Sequence, residues 1–401
     1  MSTDSPNVYG AEPIPKAAKA ELEKLLQTGD LFRYTSEDSP VALLEREFAD
    51  LMGVKYALAV SSCSAALHLS LEALNLGDSA RIIVPAFTFA AVPSSIINAR
   101  MQPVLVEVRD NYRIDLEDFK SKIDSNIDAV MISHMRGHTS DMDIIMDLCN
   151  ERNIPVIEDA AHSLGTIWDG KKIGTIGKVG CFSFQSYKMI NAGEGGILIS
   201  NDANIIARAV IMSGAYEHNW KKHKGPNGQN DPELIDAFNR WQNQLPLYNL
   251  RMQNLSATII RPQLELLEHR VSAGLKNHNC VAEKLNSSAY INVPDPLTKE
   301  IRAPDSIQFN LLSFSDDEVL EFQKISNELG VKVQVFGMST DNARAFWNWK
   351  FIPGQMPNLP ITKNMLMRAC DVRLPAWLSN EELDFTANAI INAVNTVKEN
   401  L

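Results

Sequence analysis

No cysteine pair in this sequence stands at metal-ligating or redox spacing. The five cysteines, Cys63, Cys149, Cys181, Cys280 and Cys370, are scattered over 401 residues. That argues against a zinc ribbon and a disulfide framework, and for free thiols in a reducing compartment. No long uncharged apolar run occurs, so no membrane span is expected. The opening MSTDSPNVYGAEPIPK lacks the apolar segment of a secretion signal, and the cytoplasm is the expected location. Basic tracts are also missing: 38 basic residues stand against 49 acidic ones, for a formal net charge of -11. Such a chain is a poor general binder of polyphosphate, and nucleic acid is not an expected partner. There is no internal repeat and no low-complexity tract. No Gly-x-Gly-x-x-Gly follows the first strand-like segment, which removes the signature of a dinucleotide-binding dehydrogenase.

What is present is 45% hydrophobic, ample for a large core. In the first half, short apolar or β-branched runs recur: YALAV (56–60), RIIVP (81–85), PVLVEV (103–108), DAVMIS (128–133), PVIED (155–159), GCFSF (180–184) and GILIS (196–200). Helical patterns separate several of them, at 64–74, 90–100 and 143–153. Nearly continuous apolar strands alternating with helices predict a mostly parallel sheet covered on both faces. Ligands in such sheets sit at the carboxyl ends of the strands. GPNGQNDPEL (225–234) reads as a loop, followed by a long helical stretch from roughly Leu255 to Leu285. The remainder predicts strands at 306–314 and 331–336 and helices at 316–330 and from about Asn380 to Glu399. Ser379 with Glu382 three residues on is a capping box for the last helix.

Chemistry collects where the strands end. VSSCSAAL (60–67) opens a helix with small hydroxyl residues, which suits an anion or serves as a plain N-cap. VIEDAAHSLG (156–165) ends a strand on Glu158 and Asp159, and a buried carboxylate needs a partner. No second ligand stands at metal spacing, so no metal site is expected; a protonated heteroaromatic nitrogen would serve. SFQSYKMINAGEGG (183–196) sets Lys188 in an apolar, aromatic run before a glycine-rich loop. A desolvated lysine has a lowered pKa, and its neutral amine attacks carbonyls. A phosphate cup, a carboxylate for a ring nitrogen and a lysine for an aldehyde together point to pyridoxal 5'-phosphate.

On VSSCSAALHLSLEAL, VPAFTFAAVPSSI, SHMRGHTSDMD, VIEDAAHSLGT, GCFSFQSYKMINAGEGG and YNLRMQNLSA, the chain resembles the DegT/DnrJ/EryC1/StrS aminotransferases, from about Phe32 to Ile390. The resemblance implies the type I pyridoxal-phosphate α/β fold. That fold has a mixed, mostly parallel seven-stranded sheet with helices on both faces and a smaller α+β C-terminal domain. It implies a division at residues 1–250 and 251–401, the second part beginning with a long connecting helix, and a homodimer with shared active sites. Carried over by position, Lys188 resembles the Schiff-base lysine and proton shuttle, and Asp159 the carboxylate facing the pyridinium nitrogen. Phe89 resembles the aromatic stacked on the ring. Ser62, Cys63 and Ser64 resemble the phosphate turn, Ser183 adds a hydroxyl, and Asn249 reaches across the dimer. Two positions depart from the family pattern. Cys63 replaces a glycine in the turn, and His162 stands where glutamine is commoner. His162 either touches the ring hydroxyl of the cofactor or sits satisfied in the core.

The implied activity is a ping-pong transamination in sugar biosynthesis, moving an amino group from glutamate or glutamine to a keto-sugar or related carbonyl acceptor. Arg33, Arg136, His218, Arg344 and Trp347, with Trp349, are candidates for a pocket holding an anionic acceptor. Their plain alternative is packing in the small domain and pairing with acids. The segment 213–225 reads as a loop near the site, with His218 and His223 either as candidates there or at a solvated surface. A dehydratase or eliminase on the same fold, or a non-catalytic cofactor-binding regulator, is the alternative function.

Overall fold

The computed structural model describes Val8, residues 10–124 and residues 126–399, with Asn227 by its backbone alone. The reading of residues 1–7 and 9 as part of a segment with no apolar core lies outside the described residues.

Seven apolar segments become the strands of one sheet: β1 Tyr56–Val60, β2 Arg81–Pro85, β3 Gln102–Val106, β4 Ala129–Ser133, β5 Val156–Asp159, β6 Val179–Ser183 and β7 Gly196–Ser200. Their order is β1-β7-β6-β5-β4-β2-β3. Strands β2 to β6 run parallel, and β7 runs antiparallel to both β1 and β6. Every residue of β1, β4, β5, β6 and β7 is buried. Burial on alternate residues alike requires cover on both faces, which is why these strands read as unbroken apolar runs rather than alternating ones. Asp115, Asp141 and Asp202 cap the helices that follow them, each side chain accepting from backbone N–H groups of the first turn.

A second, antiparallel sheet is built from Ile291–Asn292, Ser306–Leu311, Ala369–Arg373 and Gln334–Val335. Around it Val281, Phe309, Phe322, Val372 and Ile390 form a core separate from that of the large sheet. The last helix, Asn380–Glu399, starts on the expected capping box: Glu382 N–H donates to Ser379 Oγ at 3.2 Å, and Ser379 N–H to Glu382 Oε2 at 2.8 Å.

Five expectations are corrected. The stretch from Leu255 to Leu285 is two helices, Asn254–Leu264 and Leu267–Leu285. Pro262 lies in the first, where it lacks the N–H for a helical hydrogen bond, and the helix ends two residues later. Of 306–314 only Ser306–Leu311 is strand, and of 331–336 only Gln334–Val335, the chain then tightening into a 3-10 turn at Phe336–Met338. His223 is buried rather than solvated. Its Nδ1 lies 2.7 Å from Tyr34 Oη and 3.1 Å from Glu45 Oε2, while neighbouring Trp220 stacks on Phe238. Trp349 packs in the core of the large sheet, not the small one, and its indole N–H donates to the Asn342 carbonyl at 2.8 Å.

Candidate active site

The strand ends converge on one cavity of about 530 Å³. Strand alternation sends the last two residues of β5 to opposite faces. Glu158 accepts from the backbone N–H groups of Gly174, Ile176 and Gly177 at 2.8, 2.7 and 2.6 Å, and from His134 at 3.1 Å. It is a structural carboxylate, fully occupied. Asp159 lines the cavity. Its Oδ2 accepts from Ser133 Oγ at 2.7 Å and its Oδ1 from the Ala161 N–H at 3.1 Å. These two bonds fix the carboxylate and leave acceptor capacity free.

After β1 the chain turns through Ser62 into the helix Cys63–Leu74, and Ser62, Cys63 and Ser64 line the cavity. Ser62 caps it, its hydroxyl accepting from the Ala65 N–H at 3.1 Å. Gly196, the first residue of β7, abuts this turn so closely that a methyl group there would overlap the backbone of Ser62 and Cys63. The cup is therefore set by a close approach of two strand ends. Cys63 turns its thiol toward Asp159, with Sγ 3.9 Å from Oδ1. Burial pushes that thiol well above its ordinary pKa, so it stays a neutral donor.

Lys188 sits in the loop after β6, its N–H bonded to the Gln185 carbonyl at 2.8 Å. Desolvation of its amine, with the charge of Arg136 acting the same way against Asp305 and Asp159, lowers its pKa to about 8. Its Nζ lies 2.8 Å from His162 Nε2 and 3.3 Å from Nδ1. His162 is held well below the ordinary histidine range by burial and by the charges of Lys188, Arg136, Arg344 and Arg373. The neutral ring is thus an acceptor for the Lys188 amine.

The cavity brings together Ser62, Cys63, Ser64, Phe89, Asp159, His162, Ser183 and Lys188, with Arg136 and Arg344. Four other candidates lie outside it. Arg33 is buried and bonded to the Ala59 carbonyl and Ser213 Oγ at 3.3 and 2.9 Å, so its guanidinium serves the fold. Trp347 packs on Phe346 with the Lys363 ammonium above it. His218 is exposed beside Trp220. Asn249 is exposed in the segment before the helix Asn254–Leu264. The sequence reading missed Asp371 and Arg373, which line the cavity from the second sheet. Their signal was two opposite charges at i and i+2 in the apolar run ACDVR, hence on one face of a strand. Among the described residues no cluster of His, Cys, Asp or Glu could hold a metal, and no helix is long and apolar enough to cross a membrane.

A lysine of depressed pKa and a fixed strand-end carboxylate, meeting at the carboxyl ends of a mixed seven-stranded sheet, define an aminotransferase-type fold and site. The chain belongs to the DegT/DnrJ/EryC1/StrS aminotransferase family, whose model matches residues 14–391. It is 36% identical over 230 residues to the GDP-perosamine synthase of Vibrio cholerae, covering 57% of this chain and 58% of that one. It is 30% identical over 259 residues to the 3-amino-5-hydroxybenzoate synthase of Amycolatopsis mediterranei, covering 64% and 62%. The chain thus matches about three-fifths of the length of these curated relatives. Among solved structures, Helicobacter pylori PseC, an aminotransferase involved in pseudoaminic acid biosynthesis, superposes with a TM-score of 0.83. That likeness covers 97% of this chain and 99% of the other at 16% identity, and it shows the fold.

Proposed function

We propose that the protein is a pyridoxal-phosphate-dependent aminotransferase. It moves an amino group from glutamate or glutamine to a keto-sugar or related carbonyl acceptor and works as a homodimer. The observation that carries this reading is Lys188: an amine with a pKa of about 8, in one cavity with the anchored Asp159.

The residues fit the cofactor. The helix N-terminus at Ser62–Ser64 offers N–H donors and a favourable dipole to a phosphate. The approach of Gly196 shapes that cup, and Phe89, 45% exposed, lines the cavity. Asp159 is the anion for a protonated ring nitrogen. When bound, pyridoxal phosphate supplies an aldehyde that takes up the amino group and a ring that withdraws electrons from the reacting carbon.

The rest is the work of this chain. The Lys188 amine is neutral in an appreciable fraction near pH 8, so it is available as a nucleophile and, once released, as a base. Its Nζ would take the proton from the α carbon of the substrate and return it to the carbon on the other side of the transferred nitrogen. His162 holds the amine between these events by accepting from Nζ. Asn249, exposed and outside the cavity of its own protomer, is assigned to the partner's phosphate cup. Two separate cores support a two-domain division, but Met252, Ala257, Ile260 and Leu267, past residue 250, belong to the first core, as do Phe336, Trp349 and Leu366.

The test is spectroscopic. Pyridoxal phosphate added to the purified chain should give a visible band that L-glutamate or L-glutamine removes, and Lys188→Ala should give none while remaining folded. A band indifferent to every amino donor would instead favour elimination or a non-catalytic role.

A further inference from the structure

The cavity is lined by the carboxylates Asp159, Glu194 and Asp371, and among the described residues only Asp371 is ion-paired with an arginine of its wall. Arg136, Arg344 and Arg373 all line it. Arg136 is paired with Asp371 at 2.5 Å. Arg344 and Arg373 have no carboxylate at ion-pair distance among the described residues. Arg344 donates to Gln334 Oε1 at 3.2 Å, and Arg373 to the carbonyls of Val8, Gly10 and Tyr187 at 3.5, 3.1 and 3.4 Å. Both guanidiniums lie over rings at the cavity, Arg344 5.8 Å from the centroid of Phe89 and Arg373 5.2 Å from that of Tyr187. The Nε atoms of all three arginines are buried without a partner. Burial brings Arg344 down to about 10. Cationic groups held this way are costly unless an anion meets them.

The wall is also held in place. Arg136 adopts a left-handed conformation, φ 55°, uncommon for a residue that carries a side chain. Its partner Asp371 ends a chain of donors running in one direction. Arg302 can only donate, so His138 Nδ1 accepts from it at 3.2 Å. His138 Nε2–H then donates to Gln308 Oε1 at 2.9 Å, and Gln308 Nε2 to Asp371 Oδ1 at 2.7 Å. Asp371 Oδ2 is left to orient Arg136.

We propose that Arg344 and Arg373, beside the oriented Arg136, form a carboxylate seat, and that the carbonyl acceptor carries a carboxylate near its reacting carbon. This rests on the aminotransferase reading and names its substrate class: a keto-sugar acid rather than a neutral sugar held by a nucleoside diphosphate. The seat shares one cavity with Lys188 and with His162, whose Nε2 lies 2.8 Å from Lys188 Nζ. In a nucleotide-carried sugar the charges lie at the far side of the sugar ring, and the reacting end offers hydroxyls alone. A carboxylate matches the planar fork of a guanidinium. An amino donor also brings a carboxylate, so the test must separate the two sources.

The full chain is titrated calorimetrically with D-glucuronate, D-glucose, uridine diphosphate and L-glutamate. Wild type is compared with Arg344→Gln, Arg344→Lys and Arg373→Gln, each checked for an unchanged melting temperature. D-glucuronate should bind about tenfold or more tightly than D-glucose, and Arg344→Gln should remove about that factor, with partial recovery in Arg344→Lys. Equal binding of the two sugars overturns the seat. So does a loss confined to L-glutamate, or uridine diphosphate binding tightest and being lost in the same variants. The visible band of the wild type with L-glutamate is read in parallel. A band that never responds sinks the aminotransferase reading, whatever the sugar acid does; a responsive band without carboxylate preference sinks the seat alone.

Discussion

Lys188 has a neutral neighbour in His162, and its nearby carboxylates, Asp159 and Asp305, do not offset the desolvation of its amine. The sign of the resulting pH dependence is fixed. Below a pKa of about 8 the amine is protonated and has no lone pair; above it the neutral form dominates. Capture of pyridoxal phosphate by the cofactor-free chain should therefore accelerate through about pH 8 and then level, followed by stopped-flow absorbance. A midpoint near the ordinary lysine value would mean an amine in free contact with water. Asp159→Asn keeps the shape but removes the charge that a protonated ring nitrogen pairs with, and turnover should fall by about 100-fold or more. Both residues were legible in the sequence, because strand ends in a parallel sheet announce where a site lies. Arg373 was not, since its cavity exists only once a strand from the second sheet is brought against the first. Arg33 misled for the opposite reason: nothing local distinguishes an arginine bonded inside the fold from one open to a ligand.

At the scale of elements, two substitutions separate support of the site from support of the fold. Gly196→Ala places a methyl group against the backbone of Ser62 and Cys63, so the β1–β7 pairing or the turn must give way. It should cost about 1–3 kcal/mol and weaken cofactor binding as well, read by denaturant unfolding and by titration of the visible band. Ser379→Ala removes one half of the capping box at a residue that does not line the cavity. It should cost about 1 kcal/mol with the visible band unchanged. If Gly196→Ala leaves cofactor affinity intact, the cup does not depend on that close approach. Most elements could be read from apolar period and caps, because buried parallel strands and Asp- or Ser-capped helices leave local marks. The break after Leu264 was hidden by its own context. Apolar residues continue on both sides, and Pro262 was the only warning. The short strand Gln334–Val335 failed differently, since a β-branched run longer than its pairing partner looks the same in sequence as one that is fully paired.

The molecule as a whole leaves apolar surface uncovered beside Asn249. Phe32 and Tyr216 are 42% and 41% exposed, and the Arg251 guanidinium lies over both rings, at 5.3 and 5.0 Å. Leu247, 50% exposed, precedes Asn249 in the same segment, which is tied to the fold through Tyr248 N–H to the Met212 carbonyl and Leu250 N–H to the Ser213 carbonyl. Clustered large apolar side chains on a rigid support are what an interface requires. We propose this patch as the contact of the homodimer, with Asn249 of the same segment as the residue offered to the partner's phosphate cup. Sedimentation should therefore give a dimer, and Phe32→Glu, which sets a charge in that patch, should shift it toward monomer. If the sites are shared, cofactor affinity falls in step with dissociation, and Asn249→Ala lowers affinity while the dimer persists. A Phe32→Glu monomer that binds pyridoxal phosphate as tightly as the wild type would show that each cavity is complete within its own chain.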